Sequence, residues 1–117
     1  MVAVWSCGAT PGKHVYIKND LPSGLVISLH CLSQDDDMGT MLLAPGDQWD
    51  FQFHLNIDGG TLFHCGFTWF GAKTTYRLTV YDNSVHNGEC DNCIWSIRIN
   101  GTCLFSSTIH LVHCTGW

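Results

Sequence analysis

The sequence contains little charge, and very little of it is positive. Only 13% of its 117 residues are charged, ten of them acidic and five basic, and the basic ones are scattered along the chain: Lys13, Lys18, Lys73, Arg77 and Arg98. A nucleic-acid-binding protein groups its basic residues on one face, and an anionic membrane surface attracts the same kind of cluster. We therefore expect no nucleic acid and no membrane surface as a partner.

Long apolar runs and the usual catalytic patterns are also missing. No stretch reaches the length of about 18 apolar residues that a membrane-spanning helix needs, so we expect no membrane insertion. Glu89 is the single glutamate, and the sequence shows no nucleophile elbow, zinc-protease helix or Ser/His/Asp order. We therefore expect a protein that is not an enzyme and needs no cofactor.

Cysteine, by contrast, is abundant. Seven cysteines in a chain of this length are typical of an oxidising compartment, because cytosolic proteins keep their thiols reduced. Residues 1–12 lack the basic start and long apolar stretch of a signal peptide. We therefore expect a secreted, extracellular protein in its mature form, folded as one domain over residues 1–117 and monomeric.

Apolar and polar residues alternate in short runs. In the clearest run, from Trp49 to Leu55, large apolar residues alternate with Asp50, Gln52 and His54. Similar runs lie near Val15, Leu25, Phe63, Tyr76, Cys93, Cys103 and Thr108. Turn signals rich in Gly, Pro, Asn and Asp separate them, and no helical periodicity with start and stop signals is present. The pattern predicts an all-β fold, a small antiparallel β-sandwich of seven to eight strands braced by disulfides.

The positions of the cysteines favour two disulfides in the core. Cys31, Cys65 and Cys93 share parity with the large apolar residues of their runs, and Cys103 begins another run. We prefer the pairs Cys31–Cys103 and Cys65–Cys93, although four cysteines allow three connectivities. Two further cysteines lie near the chain ends, and chain ends often meet. A third bridge, Cys7–Cys114, would leave Cys90 unpaired.

An ordered set of motifs resembles a known family, the plant self-incompatibility protein S1 family or S-protein homologues. The resemblance covers residues 14–105 and rests on the segments at residues 14–21, 30–33, 36–39, 45–46, 49–53, 62–69, 93–97 and 101–103. The chain departs from the pattern at Cys7 and Cys114, which are additional, and at Met38, where a leucine is usual. The resemblance implies a secreted β-sandwich that acts as a small signalling ligand. Such a ligand binds a cell-surface receptor protein in pollen–pistil or related cell–cell recognition.

Two alternatives come from other classes of function. One is a secreted carbohydrate-binding or small-ligand-binding defence module. The other is a zinc module, since Cys90 and Cys93 have zinc-knuckle spacing and His110, His113 and Cys114 offer further ligands. Against zinc, Cys93 has the parity of a core residue, and we predict no metal site.

Two polar connections are the predicted receptor-binding loops, Ser33 to Thr40 and Asp82 to Asn92. Their candidate contact residues are Asp35, Asp36, Asp37, Asn83, His86, Asn87 and Glu89. The consecutive aspartates do not fit a calcium loop, which needs ligands at alternate positions and a distal glutamate. They predict a solvated acidic turn in which Asp37 and Gly39 shape the backbone.

Two further predictions concern the surface and the core. The triplet Asn100-Gly101-Thr102 is an acceptor for N-glycosylation, so we predict a glycan on Asn100. Trp49, Trp69 and Trp95 have core parity and are predicted to be packed inside. Trp5 and Trp117 are at the chain ends, where we expect exposure or a position covering a sheet edge.

Overall fold

A computed structural model describes residues 12–54, 60–86, 90–106 and 111–117. Within these ranges the chain forms nine strands and one helical turn. In chain order they are β1 (Lys13–Asn19), β2 (Ile27–Ser33), β3 (Asp37–Leu43), β4 (Gln48–Phe53), β5 (Leu62–Thr68), β6 (Tyr76–Asp82), α1 (Asn83–His86), β7 (Asn92–Arg98), β8 (Gly101–Ser106) and β9 (Leu111–Gly116).

The strands form two sheets. One has five strands in the order β4-β1-β7-β8-β9, and the other has four in the order β3-β2-β5-β6. All neighbours are antiparallel except β1 and β7, which are parallel. The predicted all-β, predominantly antiparallel fold braced by disulfides is therefore confirmed.

Strand β3 was not predicted from the sequence. It begins at Asp37, inside the predicted loop Ser33 to Thr40, so the second half of that loop is a strand and the prediction is wrong there. The pairing of β2 with β3 shifts register between His30 and Leu32, and Gly39 has a φ of 74°. A bulge with glycine in the left-handed region interrupts the alternation, and this irregularity concealed the strand.

The core lies between the inward faces of the two sheets. Val15 and Ile17 of β1 and Phe63, Cys65 and Phe67 of β5 are buried. Within each strand a more exposed residue separates one buried residue from the next, as the period of two predicts. Burial of a side chain of this size stabilises the fold by about 1.5–3 kcal/mol. The inward parity assigned to these runs is therefore confirmed.

The three tryptophans predicted to be inside pack against the core, whereas Trp5 lies outside the described residues and Trp117 is partly buried. Trp69 and Trp95 are buried, and Trp49 packs partly buried against the core. The indole nitrogen of Trp95 donates to the carbonyl oxygen of Val80 at 2.9 Å. This hydrogen bond joins β7 of one sheet to β6 of the other.

Two of the disulfides join neighbouring strands of one sheet, which corrects the predicted pairing. Cys31 bonds to Cys65, its direct neighbour across β2 and β5, and Cys103 bonds to Cys114 across β8 and β9. The Cβ atoms of bridged cysteines are only about 4 Å apart, and opposed residues of neighbouring strands meet that distance. Since Cys31 bonds to Cys65 and Cys103 bonds to Cys114, the predicted pairs Cys31–Cys103 and Cys65–Cys93 are wrong.

The remaining cysteine predictions also change. Cys90, predicted to be unpaired, bonds to Cys93, so these two sulfurs are not zinc ligands and the zinc-knuckle interpretation is wrong. Cys114 bonds to Cys103 rather than to Cys7, which lies outside the described residues. Cys103 pairs with Ser96, between the inward-facing Trp95 and Ile97, so its sulfur is on the outer face and not in the core.

A buried asparagine holds one end of the sandwich together. Asn19 is 1% exposed. Its side-chain nitrogen donates to the carbonyls of Leu25 at 2.8 Å and Leu43 at 3.0 Å, and its oxygen accepts from the backbone N–H of Leu21 at 3.0 Å. We call this the Asn19 end, comprising residues 19–27, 43–48, 68–76 and 98–101.

In the part of the chain that the structure describes, no helix is long and apolar enough to cross a membrane.

Candidate functional site

Strand register brings the two predicted loops to the same end of the sandwich. Ser33 pairs with Phe63, and Leu62 pairs with Asp82, so the turn after β2, the start of β5 and the end of β6 are neighbours. The sequence predicted both loops but not their proximity. We call this surface the acidic end, comprising residues 33–37, 60–62 and 82–86 together with Asp91.

Carboxylates dominate the acidic end. It carries Asp35, Asp36, Asp37, Asp82 and Asp91. Two basic side chains approach it from neighbouring strands: Lys13 Nζ contacts Asp91 Oδ1 at 2.6 Å, and His30 Nε2 contacts Asp37 Oδ1. Five carboxylates outnumber these two basic groups, so the surface is negative. An electronegative surface of this kind steers a basic partner toward it.

The turn at residues 33–36 is fixed by short-range hydrogen bonds. The Ser33 N–H donates to the Asp36 carbonyl at 2.8 Å, and the Asp36 N–H donates to Ser33 Oγ at 3.1 Å. Asp37 Oδ1 accepts from the Gly39 N–H at 2.9 Å. This bond and the hydrogen bond from His30 lower the pKa of Asp37, which favours its charged form. The prediction that Asp37 and Gly39 shape the backbone is confirmed.

The helical turn α1 gives the second loop its shape. Asp82 Oδ1 accepts from Ser84 Oγ at 2.7 Å and from the Ser84 N–H at 3.0 Å. These two bonds, together with the nearby His86, lower the pKa of Asp82. The Asn83 N–H donates to the Thr61 carbonyl at 3.0 Å, which ties the two segments together. Specific hydrogen bonds therefore hold the first part of this loop, residues 82–84, in place.

His86 is a structural residue, which corrects its predicted place among the receptor contacts. It is 7% exposed, and its Nδ1 accepts from the Asp82 N–H at 2.8 Å. Its ring lies edge-on to Trp95, with centroids 6.1 Å apart. Asn83 remains half-buried at the surface, whereas Asn87 and Glu89 lie outside the described residues.

An aromatic cluster lies directly beneath the acidic end. The ring centroids of Phe53 and Phe63 are 4.6 Å apart, and those of Phe53 and Tyr81 are 4.9 Å apart. Burial, with the charges of Asp91 and Asp82, raises the pKa of Tyr81 to about 12. Its neutral hydroxyl donates to Asn83 Oδ1 at 3.3 Å. The acidic surface therefore stands on a close-packed base that holds its geometry.

The predicted glycosylation site lies away from this surface. Asn100 is exposed in the turn between β7 and β8, at the Asn19 end, and its carbonyl accepts from the Trp117 N–H at 3.2 Å. A glycan on its side chain would leave the acidic end clear. Glycosylation of Asn100 stays a prediction.

The described residues offer no metal-binding cluster. Among them, no three or more His, Cys, Asp or Glu side chains are grouped so that they could hold a metal ion. Asp37, Asp82 and Asp91 of the acidic end instead bond to backbone N–H groups, a serine, a lysine and a histidine. This arrangement fits recognition by charge and shape.

Sequence analysis missed a second surface feature, a groove beside the free edge of β6. It is lined by Arg77 and several threonines, and Trp117 lies at its margin. Thr102 and Thr115 oppose each other at inward positions of β8 and β9. Polar residues at positions where the alternation calls for core residues were the sequence signal that could have indicated this groove. Phe70 is also 92% exposed in the turn after β5, with no signal from alternation because it lies outside a strand.

Comparison with known proteins agrees with these features. The family "Plant self-incompatibility protein S1" matches residues 14–117. Relatives from Arabidopsis thaliana include S-protein homolog 3, 44% identical over 111 residues (90% of this chain and 72% of the relative), and S-protein homolog 4, 43% identical over 97 residues (79% and 62%). S-protein homolog 2 is 37% identical over 102 residues (83% and 62%). This chain thus spans 62–72% of the length of these relatives. It belongs to the plant self-incompatibility protein S1 family, the S-protein homologues, as the sequence motifs predicted.

Proposed function

We propose that this protein is an extracellular ligand that a cell-surface receptor recognises through the acidic end, in cell–cell recognition of the self-incompatibility type. One observation carries the proposal. The two polar loops that the sequence predicts as recognition elements converge at a single end of the sandwich. Loops on a rigid scaffold are where binding function concentrates.

The fold supports an extracellular role because of its sulfur chemistry. Six cysteines form three disulfides, and disulfides persist in oxidising compartments. Cys31–Cys65 closes a separation of 34 residues, which constrains the unfolded chain. A ligand that acts outside the cell benefits from this bracing.

The acidic end also has the chemistry of a recognition surface rather than of a catalytic centre. Its carboxylates are engaged by capping and pairing contacts, such as those of Asp82 with Ser84 and of Asp91 with Lys13. Membership of a family of ligand-type, non-catalytic proteins supports the same conclusion. The activity proposed is binding alone.

A loop exchange tests the proposal. The segment 82–92 is replaced by the corresponding segment of a relative that binds a different plant cell type, with Cys90 and the start of β7 kept. Binding of the labelled proteins to both cell types is then measured. We expect the exchanged protein to follow the donor's preference while circular dichroism and the disulfide pattern stay unchanged. Unchanged binding preference in a folded exchange protein would contradict the role of this loop.

A further inference from the structure

A groove lies along the edge of the four-stranded sheet. The groove has a volume of about 520 Å³. One wall is β6 with the residue before it, from Thr75 to Thr79, and the other is formed by Thr102 of β8 with His113 and Thr115 of β9. We call it the edge groove, and it does not include any residue of the acidic end.

The edge groove exists because the two sheets differ in width. β6 ends its sheet, whereas β7 continues to β8 and β9 in the other. Since Trp95 of β7 bonds to Val80 of β6, β6 lies over β7, and the β8–β9 hairpin extends beyond it. The inward face of that hairpin is therefore left facing the edge of β6.

This edge has the geometry to accept another strand. β6 pairs on one side with β5 and has no strand on its other side among the described residues. An edge strand presents backbone N–H and C=O groups to an incoming chain. The carbonyl of Val80 is already taken by Trp95, so residues 75–79 are the segment that faces the groove. At about 3.3 Å per residue, five residues offer a segment about 16 Å long.

The aromatic rings beside the groove argue against a sugar as its occupant. Sugar recognition needs a free ring face, but Tyr76 is stacked between Trp69 and Trp117, with centroid distances of 5.2 and 4.8 Å. The indole nitrogen of Trp117 donates to the Arg98 carbonyl at 3.0 Å. These rings close one end of the groove by packing on one another.

Charge indicates what kind of chain fits. Arg77 is exposed on the outer face of β6, at the edge that borders the groove, where it would neighbour the outward side chains of an added strand, and it forms no ion pair with any described residue. His113 is exposed on the other wall. The protein as a whole has a net charge of −5 with its histidines neutral. A guanidinium without an ion pair among the described residues favours a carboxylate, which it binds through two parallel hydrogen bonds. The threonines supply neutral hydrogen-bonding groups on both walls.

We propose that the edge groove binds an extended, acidic peptide segment of a partner protein, which adds to β6 as a fifth strand of that sheet. Backbone hydrogen bonds to β6 supply the affinity, and Arg77 selects a carboxylate side chain in the segment. The site is separate from the acidic end, so it does not depend on the function proposed above.

The test begins with a displayed library of random heptapeptides, selected on the intact protein and then synthesised. We expect the selected peptides to contain Asp or Glu between β-branched residues. Arg77→Glu should weaken their binding by about tenfold or more, since a charge-assisted hydrogen bond is lost and a repulsion is added. Lys73→Glu, an equal charge change at an exposed residue outside the groove, should leave binding within about twofold.

A second pair of variants tests the groove independently, in case Arg77→Glu does not fold. Thr115→Glu places a negative charge on the β9 wall and should also weaken binding, whereas Val112→Glu, on the outer face of the same strand, should not. Every second N–H group of an added strand faces the sheet. N-methylation of that set of peptide amides should therefore abolish binding, whereas N-methylation of the other set, which faces away, should not.

Three results would overturn the proposal. The first is that no peptide is selected above background. The second is that the affinity is unchanged by both Arg77→Glu and Thr115→Glu, or by N-methylation of either alternate set of peptide amides. The third is that an acidic oligosaccharide, tested as a hexauronate, binds in an Arg77-dependent way while peptides do not.

Discussion

The two ends of the sandwich are built in different ways. At the Asn19 end, one buried side chain bonds to three backbone groups, and the rings of Trp69, Tyr76 and Trp117 stack. At the acidic end, side chains bond mostly to groups a few residues away, as Asp82 does to Ser84. The contacts of the Asn19 end include a buried link between distant segments, from Asn19 to Leu43, whereas those of the acidic end lie at or near the surface. Under the proposed function, the Asn19 end maintains the fold and the acidic end carries recognition.

The largest expected effect concerns the disulfide Cys31–Cys65, whose two residues are buried in the core. In the double variant Cys31→Ala/Cys65→Ala, the 34-residue separation is no longer closed, and loop entropy predicts a loss of about 4 kcal/mol in the free energy of unfolding. Urea denaturation monitored by tryptophan fluorescence measures this. The outer-face pair Cys103–Cys114, of which Cys114 is exposed and Cys103 is buried, has a separation of 11 residues and should cost about 3 kcal/mol when removed in the same way. The reverse order would contradict the assignment.

The same substitution at both ends should give unequal results. Asn19→Ala leaves two buried carbonyls and one N–H without partners, and we expect a loss of about 3 kcal/mol in the free energy of unfolding. Asn83→Ala removes a contact with Tyr81 at the half-buried surface, and we expect a loss of about 0.5–1 kcal/mol. Thermal and urea denaturation of both variants check the difference. Equal losses would remove the distinction between a structural end and a recognition end.

The disulfides should also be reduced in a defined order. Cys114 is exposed, whereas Cys31, Cys65, Cys90 and Cys93 are buried. Thiolate attack requires access to sulfur, so limited dithiothreitol should open Cys103–Cys114 first. Thiol alkylation followed by mass spectrometry of the native protein identifies the order. Earlier alkylation of Cys31 or Cys65 would show that the core opens before the hairpin.

The smallest effect is a pH dependence at the acidic end. The pKa of Asp82 is lower in the folded state than its ordinary value because Ser84 bonds to the ionised form. This stabilisation is present above the ordinary value and is lost as the pH falls through the folded one. The stability difference between wild type and Asp82→Asn should therefore shrink below about pH 4. A difference that is constant between pH 7 and pH 2 would show that the carboxylate does not cap α1.

The sequence predicted the sheets better than the connections between cysteines. Alternation assigns an inward or outward face, and it placed Cys31 and Cys65 correctly in the core. It carries no information about which strands are neighbours, so it could not reveal that these two residues face each other across β2 and β5. Strand β3 was missed for a related reason, since the bulge near His30 and Gly39 breaks the period of two.

The candidate site was predictable in its parts but not in its assembly. Polar composition identified both loops, yet only strand register shows that Leu62 and Asp82 are paired and that the loops share one end. His86 was assigned to the surface because histidine is polar, although it packs inside against Trp95. The edge groove depends on the different widths of the two sheets, a property of topology that no local pattern records.

A matched pair of charge reversals tests the central claim most directly. Asp35 at the acidic end and Asp47 at the Asn19 end are both exposed, so Asp35→Lys and Asp47→Lys change the net charge equally. The measurement is saturable binding of the labelled proteins to plant cells that bind the wild type. We predict that Asp35→Lys weakens binding by about tenfold or more, because it reverses a charge within the contact surface, and that Asp47→Lys stays within about twofold. Equal losses from the two variants, or a larger loss from Asp47→Lys, would contradict recognition through the acidic end.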